Sequence, residues 1–232
     1  MEYLERYRGY TQGEDVRLRL YSGRIHGLAI KAFRVKALAT IGEAITVEFV
    51  PEVYAMRVLA ICGSLQAKSG NLALLKTAAA SAPFGVELVL FDGLRDLPHF
   101  NPDTDASGIP ESVTQWRLAL TASDAVLIAS PEYGFSLPGV LKNGIDWVIG
   151  SGELERKVVA ITAAVVGPDR GRRGLQALRD ALSAVRATIV GGEPIAKGPG
   201  LQPQVAALVQ ALVEAAAAAR DHSRVDGSSP GP

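Results

Sequence analysis

Residues 130–147 read SPEYGFSLPGVLKNGIDW, and this stretch decides the fold. The apolar run AVLIAS ends abruptly at Pro131, a loop of Glu132, Tyr133, Gly134, Phe135 and Ser136 follows, and Pro138 opens a segment with helical spacing. A proline suits the first helical position because the N–H it lacks would have no partner there. The stretch therefore predicts a buried strand, a short proline-bracketed loop and a helix. In an open α/β sheet, loops at the carboxyl ends of strands are where ligands bind.

The same rhythm repeats on both sides. RVLAIC (57–62) is a short, β-branched apolar run of the kind buried on both faces of a parallel sheet. A helix NLALLKTAAASA follows, capped by Ser69 or Asn71 and stopping before Pro83. VELVLF (86–91) is a second strand, and a long loop (92–110) carrying LPHFNPD leads to the helical stretch ESVTQWRLALTAS. AVLIAS is the third strand, with its helix over 139–149. The fourth strand spans 157–166 and its helix 175–185; ATIVGG is a short fifth strand, and 203–220 a closing alanine-rich helix. Five strands alternating with helices predict an α/β, doubly wound parallel sheet with helices on both faces. The flavodoxin-like order 2-1-3-4-5 suits five strands, and its switch point lies between strands one and three. The loops that follow Cys62 and Ser130 are thus expected to share one crevice.

Two flanking segments have a different texture. Residues 1–55 hold five of the six tyrosines (Tyr3, Tyr7, Tyr10, Tyr21, Tyr54) and show no pattern that assigns a core. Met56 stands directly before a strong strand. Either translation naturally starts there, or residues 1–55 are an appended segment that packs on the domain or mediates association. The domain is expected over 56–220, and residues 221–232, DHSRVDGSSPGP, are expected as a disordered tail.

Composition narrows the function classes. The 232 residues are 48% apolar and 21% charged, with 24 basic side chains balancing 24 acidic ones. That balance gives no drive toward nucleic acid or an anionic membrane. Cys62 is the only cysteine, which excludes an internal disulfide and fits a reducing cytoplasm. Three scattered histidines (His26, His99, His222) do not suggest a zinc site, and no run suggests a membrane span or an export signal.

The first loop, GSLQAKSGN (63–71), places a glycine directly after a strand, hydroxyl and amide side chains, and a helix N-terminus in one place. Backbone N–H groups and the helix dipole there form an anion site, to which Ser64, Ser69 and Asn71 add donors. A plain capped turn would look the same. Two nucleotide motifs fail: Ala67 stands where a P-loop needs glycine before its lysine, and Leu65 where a dinucleotide fingerprint needs its second glycine.

GSLQAKSGN followed by SPEYGFSLPGVLKNGIDW resembles the NADPH-dependent FMN reductase family, which includes flavodoxin-like quinone, chromate and azo-dye reductases. The likeness runs from about Met56 to the low 200s and takes in LPHFNPD. It implies that Ser64, Ser69 and Asn71 hold the FMN phosphate, and that Gln66 replaces the family's arginine in that loop. An amide cannot form the bidentate charge-assisted pair that a guanidinium makes with phosphate, and Lys68 is a candidate for the missing charge. Pro131, Glu132, Tyr133 and Gly134 are implied to wall the isoalloxazine ring, with Gly134 in place of the family's asparagine. Tyr133 offers an aromatic body with a polar tip, suited to the wet edge of a flavin site; the lesser alternative is a tyrosine packed on its own loop.

Downstream, Lys142 and Asp146 read as a surface pair and Trp147 as core or interface anchor. Asp169, Arg170, Arg172 and Arg173 form either a solvated turn or a contact for the NADPH phosphate. Cys62 reads as a packing residue, and His99 has no catalytic partner. The activity implied is hydride transfer from NADPH or NADH to FMN and onward to a small-molecule acceptor: a quinone, flavin, azo compound or metal oxyanion. No side-chain catalyst is required, and a dimer or tetramer is implied. The alternatives are a flavodoxin-type electron carrier and a flavin-less sensor or scaffold.

Overall fold

A computed structural model of the chain describes residues 56–167 and 170–225 and, of the N-terminal 55, four strands. Two compact units emerge, Met1–Ala55 and Met56–Pro232. In the first, β1 (Val16–Leu20) pairs antiparallel with β4 (Ile45–Phe49), and β2 (Leu28–Ile30) with β3 (Val35–Ala37). The tyrosine-rich positions noted above lie outside the described residues.

The second unit carries five parallel strands: β5 (Met56–Cys62), β6 (Val86–Phe91), β7 (Ala125–Ala129), β8 (Val158–Val165) and β9 (Thr188–Ala196). Their order is β6-β5-β7-β8-β9, the 2-1-3-4-5 arrangement predicted from the strand count. β5 pairs on both sides, Leu59 lying opposite Val89 of β6 and Val126 of β7. Its near-unbroken apolar run follows from that central position.

Side chains alternate along each strand, so one strand feeds two cores. On one face, Leu59 and Ile61 of β5 and Val126 and Ile128 of β7 pack against α3 (Glu111–Thr121), α4 (Gly139–Asp146) and α5 (Arg172–Ala184). On the other, Val58, Ala60 and Leu127 pack against Leu74 and Leu75 of α1 (Gly70–Ala80) and Val205, Val209 and Leu212 of α6 (Leu201–Val225). The long loop after β6 contains a 3-10 turn, Gly93–Asp96, and a short α2 (Pro102–Ser107) that Asn101 caps through Asp103 N–H.

The ends of β9, α4 and α6 depart from the sequence reading, and α5 starts at Arg172 rather than 175. β9 does not stop at Gly192: its register against β8 slips between Ile161 and Ala163, and the strand resumes through Pro194 to Ala196. A bulge on an edge strand tolerates both the glycines and the proline that argued for an early end. α4 closes at Asp146, Trp147 being its C-cap. α6 continues through Val225, so the expected tail loses its first five residues to the helix; residues 221–225 hold neither glycine nor proline to break it. Arg220 also pairs with Asp124, tying that end of the helix to the start of β7. Residues 226–232 lie outside the described residues.

Candidate functional site

The two informative loops leave neighbouring strands at the switch point. Gly63 follows β5, and Ser130 follows β7. They approach so closely that a Cβ on Gly63 would lie 2.9 Å from Ser130 Oγ. Gly63 N–H donates to Ala129 O at 2.9 Å, extending the sheet pairing by one residue before the chains diverge. From there Ser64 and Tyr133 turn toward each other, their hydroxyl oxygens 3.5 Å apart. That is the long edge of hydrogen bonding, and it shows the two loops as walls of one crevice.

The first loop is a cradle of donors. Ser69 is the N-cap of α1, its Oγ accepting from Asn71 N–H at 3.2 Å, while Ser64 Oγ accepts from Gln66 N–H at 3.2 Å. Among the described residues, the backbone N–H groups of Ser64, Leu65, Ala67, Lys68 and Gly70 make no hydrogen bond. No acidic side chain occupies the first turn of α1, so the positive end of its dipole is uncompensated. Asn71 is 4% exposed, and its Oδ1 accepts from Ala164 N–H of β8 at 2.8 Å. Its Nδ2 has no acceptor among the described residues. A buried amide donor without a partner is costly, and an anion at the helix N-terminus would satisfy it.

The second loop is a tight hairpin. Tyr133 and Ser136 exchange two backbone hydrogen bonds of 3.0 Å, and the residues between them, Gly134 (φ 55°) and Phe135 (φ 62°), both have left-handed backbones. Two positive φ values define a type I′ turn. Glycine meets this requirement freely and asparagine tolerates it, which accounts physically for the residue at 134; Phe135 adopts it under strain. Phe135 is 67% exposed, with the Arg173 guanidinium 4.4 Å over its ring. Glu132 does not point into open solvent: its Oε2 accepts from Gly174 N–H of α5 at 2.9 Å. Pro131 and Glu132 border a cavity of about 220 Å³ whose far wall is 163–166 of β8 and its loop, with Arg170 and Gly171. A second cavity of about 150 Å³ lies beside Ser64, Gln66, Cys62 and Arg95.

All eight site residues named from the sequence, Ser64, Gln66, Ser69, Asn71, Pro131, Glu132, Tyr133 and Gly134, therefore sit on these two loops. Lys68 is exposed on the first. Of the arginines after β8, Arg172 pairs with Glu193 at 2.7 Å, Arg173 stacks on Phe135, and Arg170 lines the larger cavity; Asp169 lies outside the described residues. Cys62 is half-buried, and its thiol donates to Ser64 O at 3.4 Å.

The downstream signature is structural. Asn143 accepts from Phe100 N–H at 2.8 Å and donates to Pro98 O at 2.9 Å, while Trp147 Nε1 donates to the same carbonyl at 2.7 Å. Trp147 is fully buried, edge-on to Phe100 with ring centres 5.2 Å apart. It is core, and together with Asn143 it clamps the 97–100 loop. Lys142 and Asp146 form the expected pair one turn apart. Asn143 belongs to the signature that carries the resemblance, but sequence reasoning assigned it no role and missed Gly174; a Cβ on the latter would meet Glu132 Cα at 2.9 Å. Only tertiary pairing exposes either role.

A family model described as NADPH-dependent FMN reductase matches residues 56–199. An NAD(P)H-dependent FMN reductase of Pseudomonas aeruginosa is 40% identical over 119 residues, covering 51% of this chain and 63% of the relative. A quinone reductase of Escherichia coli is 30% identical over 138 residues, covering 58% of this chain and 73% of the relative. A probable NADPH:quinone oxidoreductase of Oryza sativa, 38% identical over 96 residues (40% of this chain), matches over 47% of its own length. Among solved structures, the flavoenzyme NAD(P)H:(acceptor) oxidoreductase of Paracoccus denitrificans superposes with a TM-score of 0.61 at 28% identity, covering 69% of this chain and 98% of that one.

Proposed function

Because the chain belongs to the NADPH-dependent FMN reductase family, we propose that it is an NAD(P)H-dependent oxidoreductase with FMN seated between the 63–71 and 131–136 loops. The observation that carries this reading is the 3.5 Å approach of Ser64 and Tyr133 across the switch point, beside a row of donors that no acceptor among the described residues uses. The donor set fits a phosphate: several N–H groups, the Ser69 hydroxyl and the buried Asn71 amide converge on one helix N-terminus. When bound, the flavin supplies the redox chemistry, taking hydride from NADPH or NADH and passing electrons to the acceptor.

The protein's part is binding, orientation and tuning. Ser64, Ser69 and Asn71 hold the phosphate, and Gln66 adds a neutral amide. Pro131, Glu132, Tyr133 and Gly134 wall the ring, and the Glu132 tie to α5 keeps that wall fixed. Tyr133, 54% exposed, gives an aromatic edge with a polar tip where the site meets water. Holding donor and acceptor in turn over one ring replaces two random encounters with positioned ones, and this accounts for rate without a side-chain acid or base.

The acceptor is a small molecule: a quinone, free flavin, an azo compound or a metal oxyanion such as chromate. The name of the Escherichia coli relative makes a quinone the first to test. Self-association as a dimer or tetramer belongs to the same reading, supported by the exposure of Tyr133 and Phe135 at the crevice mouth. A cytoplasmic location fits the single thiol; no described helix is long and apolar enough to cross a membrane.

The test is steady-state oxidation of NADPH and of NADH by the FMN-loaded full chain, with and without a benzoquinone. Turnover that rises with quinone concentration is expected. A slow oxidation indifferent to any acceptor contradicts the reading and is what a non-enzymatic electron carrier would give.

A further inference from the structure

Lys197 stands close to the donor cradle with no ion-pair partner among the described residues. Lys197 follows β9, where its backbone N–H donates to Val165 O at 2.9 Å and so fixes the root of its side chain beside β8. The side chain reaches the first residue of α1. A Cβ placed on Gly70 would lie 2.5 Å from Lys197 Cε and 2.7 Å from Nζ. The end of the Lys197 side chain occupies the space that a Cβ at Gly70 would take. Among the described residues, no carboxylate pairs with Lys197, although six other lysine or arginine side chains have acidic partners.

This placement runs against the field. An ammonium beside the N-terminus of an eleven-residue helix faces the positive end of the dipole, and the first turn carries no acid to offset it. The buried Asn71 amide adds a third unpartnered donor group to the same end, 96% removed from water and with only its Oδ1 engaged. Three positive or donating groups lie at this helix end, and among the described residues no carboxylate occupies its first turn. A dianionic phosphate would turn each of these costs into a favourable contact. Within the loop, Gln66 is neutral, and Lys68, exposed just before the N-cap, is the competing cation.

We propose that Lys197, rather than Lys68 of the loop itself, is the counter-charge to the FMN phosphate, reaching Gly70 from the end of β9. The assignment rests on the FMN reading above. It makes the residue a determinant of which flavin is retained: FMN, with its phosphate, over riboflavin, without it.

The experiment is equilibrium titration of flavin-stripped full chain with FMN and with riboflavin, followed by quenching of flavin fluorescence, at low and at high salt. Wild type, Lys197→Gln, Lys197→Arg and Lys68→Gln are compared. Lys197→Gln is expected to weaken FMN at least about tenfold at low salt while leaving riboflavin unchanged, since one charge-assisted contact to phosphate is lost. Lys197→Arg should restore most of the affinity, and high salt should narrow the gap between wild type and Lys197→Gln. Unchanged FMN affinity in Lys197→Gln overturns the assignment, as does an equal loss for both flavins or a loss found in Lys68→Gln instead. Failure of the wild type to bind FMN at all overturns the parent reading as well, which separates the two.

Discussion

The Glu132 carboxylate accepts a hydrogen bond from Gly174 N–H at 2.9 Å, so the loop after β7 caps the helix that follows β8. Gly174 is the third residue of α5, one of the four N–H groups that no intrahelical carbonyl can reach. The bond therefore steadies α5 and fixes the 131–136 loop in one stroke. Glu132→Ala should lower unfolding free energy by about 1–2 kcal/mol, in the range of a lost cap. FMN affinity should fall with it. Urea unfolding and flavin titration of the same variant check the pair; a loss of stability with FMN binding untouched would show that the loop is held by other means.

Asn71 has two separable jobs. Its Oδ1 takes the Ala164 N–H, joining α1 to β8, while its Nδ2 has no acceptor among the described residues. Asn71→Asp keeps the acceptor and turns the donor into an anion. We expect the stability of the flavin-free protein to change little while FMN affinity falls by more than about tenfold, as like charges meet in a site of low polarity. Asn71→Ala should damage both, because the half-buried Ala164 N–H then loses its Oδ1 acceptor, at about 1 kcal/mol. Equal FMN affinity in wild type and Asn71→Asp would remove Asn71 from the phosphate site.

At the hairpin, Gly134 has φ 55° and Phe135 φ 62°. Gly134→Val should cost about 1–2 kcal/mol in urea unfolding, because a β-branched residue pays the full left-handed penalty. Gly134→Asn should cost clearly less. Similar values for the two would mean that the loop changes conformation on substitution.

How far the sequence could be read depends on how local each cause is. Strand order followed from five apolar runs separated by helices, and the crevice from Gly63, Ser64 and Tyr133 lying just past two neighbouring strands. These are facts of periodicity and chain order. The role of Asn143 was invisible because its partners, Pro98 and Phe100, lie more than 40 residues away in a loop with no pattern of its own. Lys197 was invisible for the same reason: nothing near Gly198 hints that its ammonium lies over Gly70. The end of β9 was misread because a bulge overrides the usual force of Gly191, Gly192 and Pro194 as breakers. Glu132 stood in a recognisable motif, yet its tie to Gly174 is a matter of packing.

Lys157 makes stability depend on alkaline pH. Its Nζ donates to Leu120 O at 3.0 Å and Ser123 O at 2.6 Å, at the end of α3. Burial, the largest influence, lowers its pKa below the usual 10.5, while Asp124 and Glu153 pull it back. With the folded value below the unfolded one, the unfolded chain binds more protons between them, and stability rises with pH across that window. Below the folded value the penalty is complete. The unfolding free energy of wild type relative to Lys157→Met should therefore shift in favour of wild type as pH climbs toward 10.5. A difference that stays flat with pH would contradict this sign.

The most direct test of the central claim, one flavin held between the loops after β5 and β7 and reduced by nicotinamide, is an anaerobic titration of FMN-loaded protein with NADPH and with NADH. The visible flavin absorbance should bleach in a single rapid phase on stoichiometric addition and return when a quinone is admitted. Protein that retains no FMN, or that retains it and stays yellow under excess of either nicotinamide, would contradict the account.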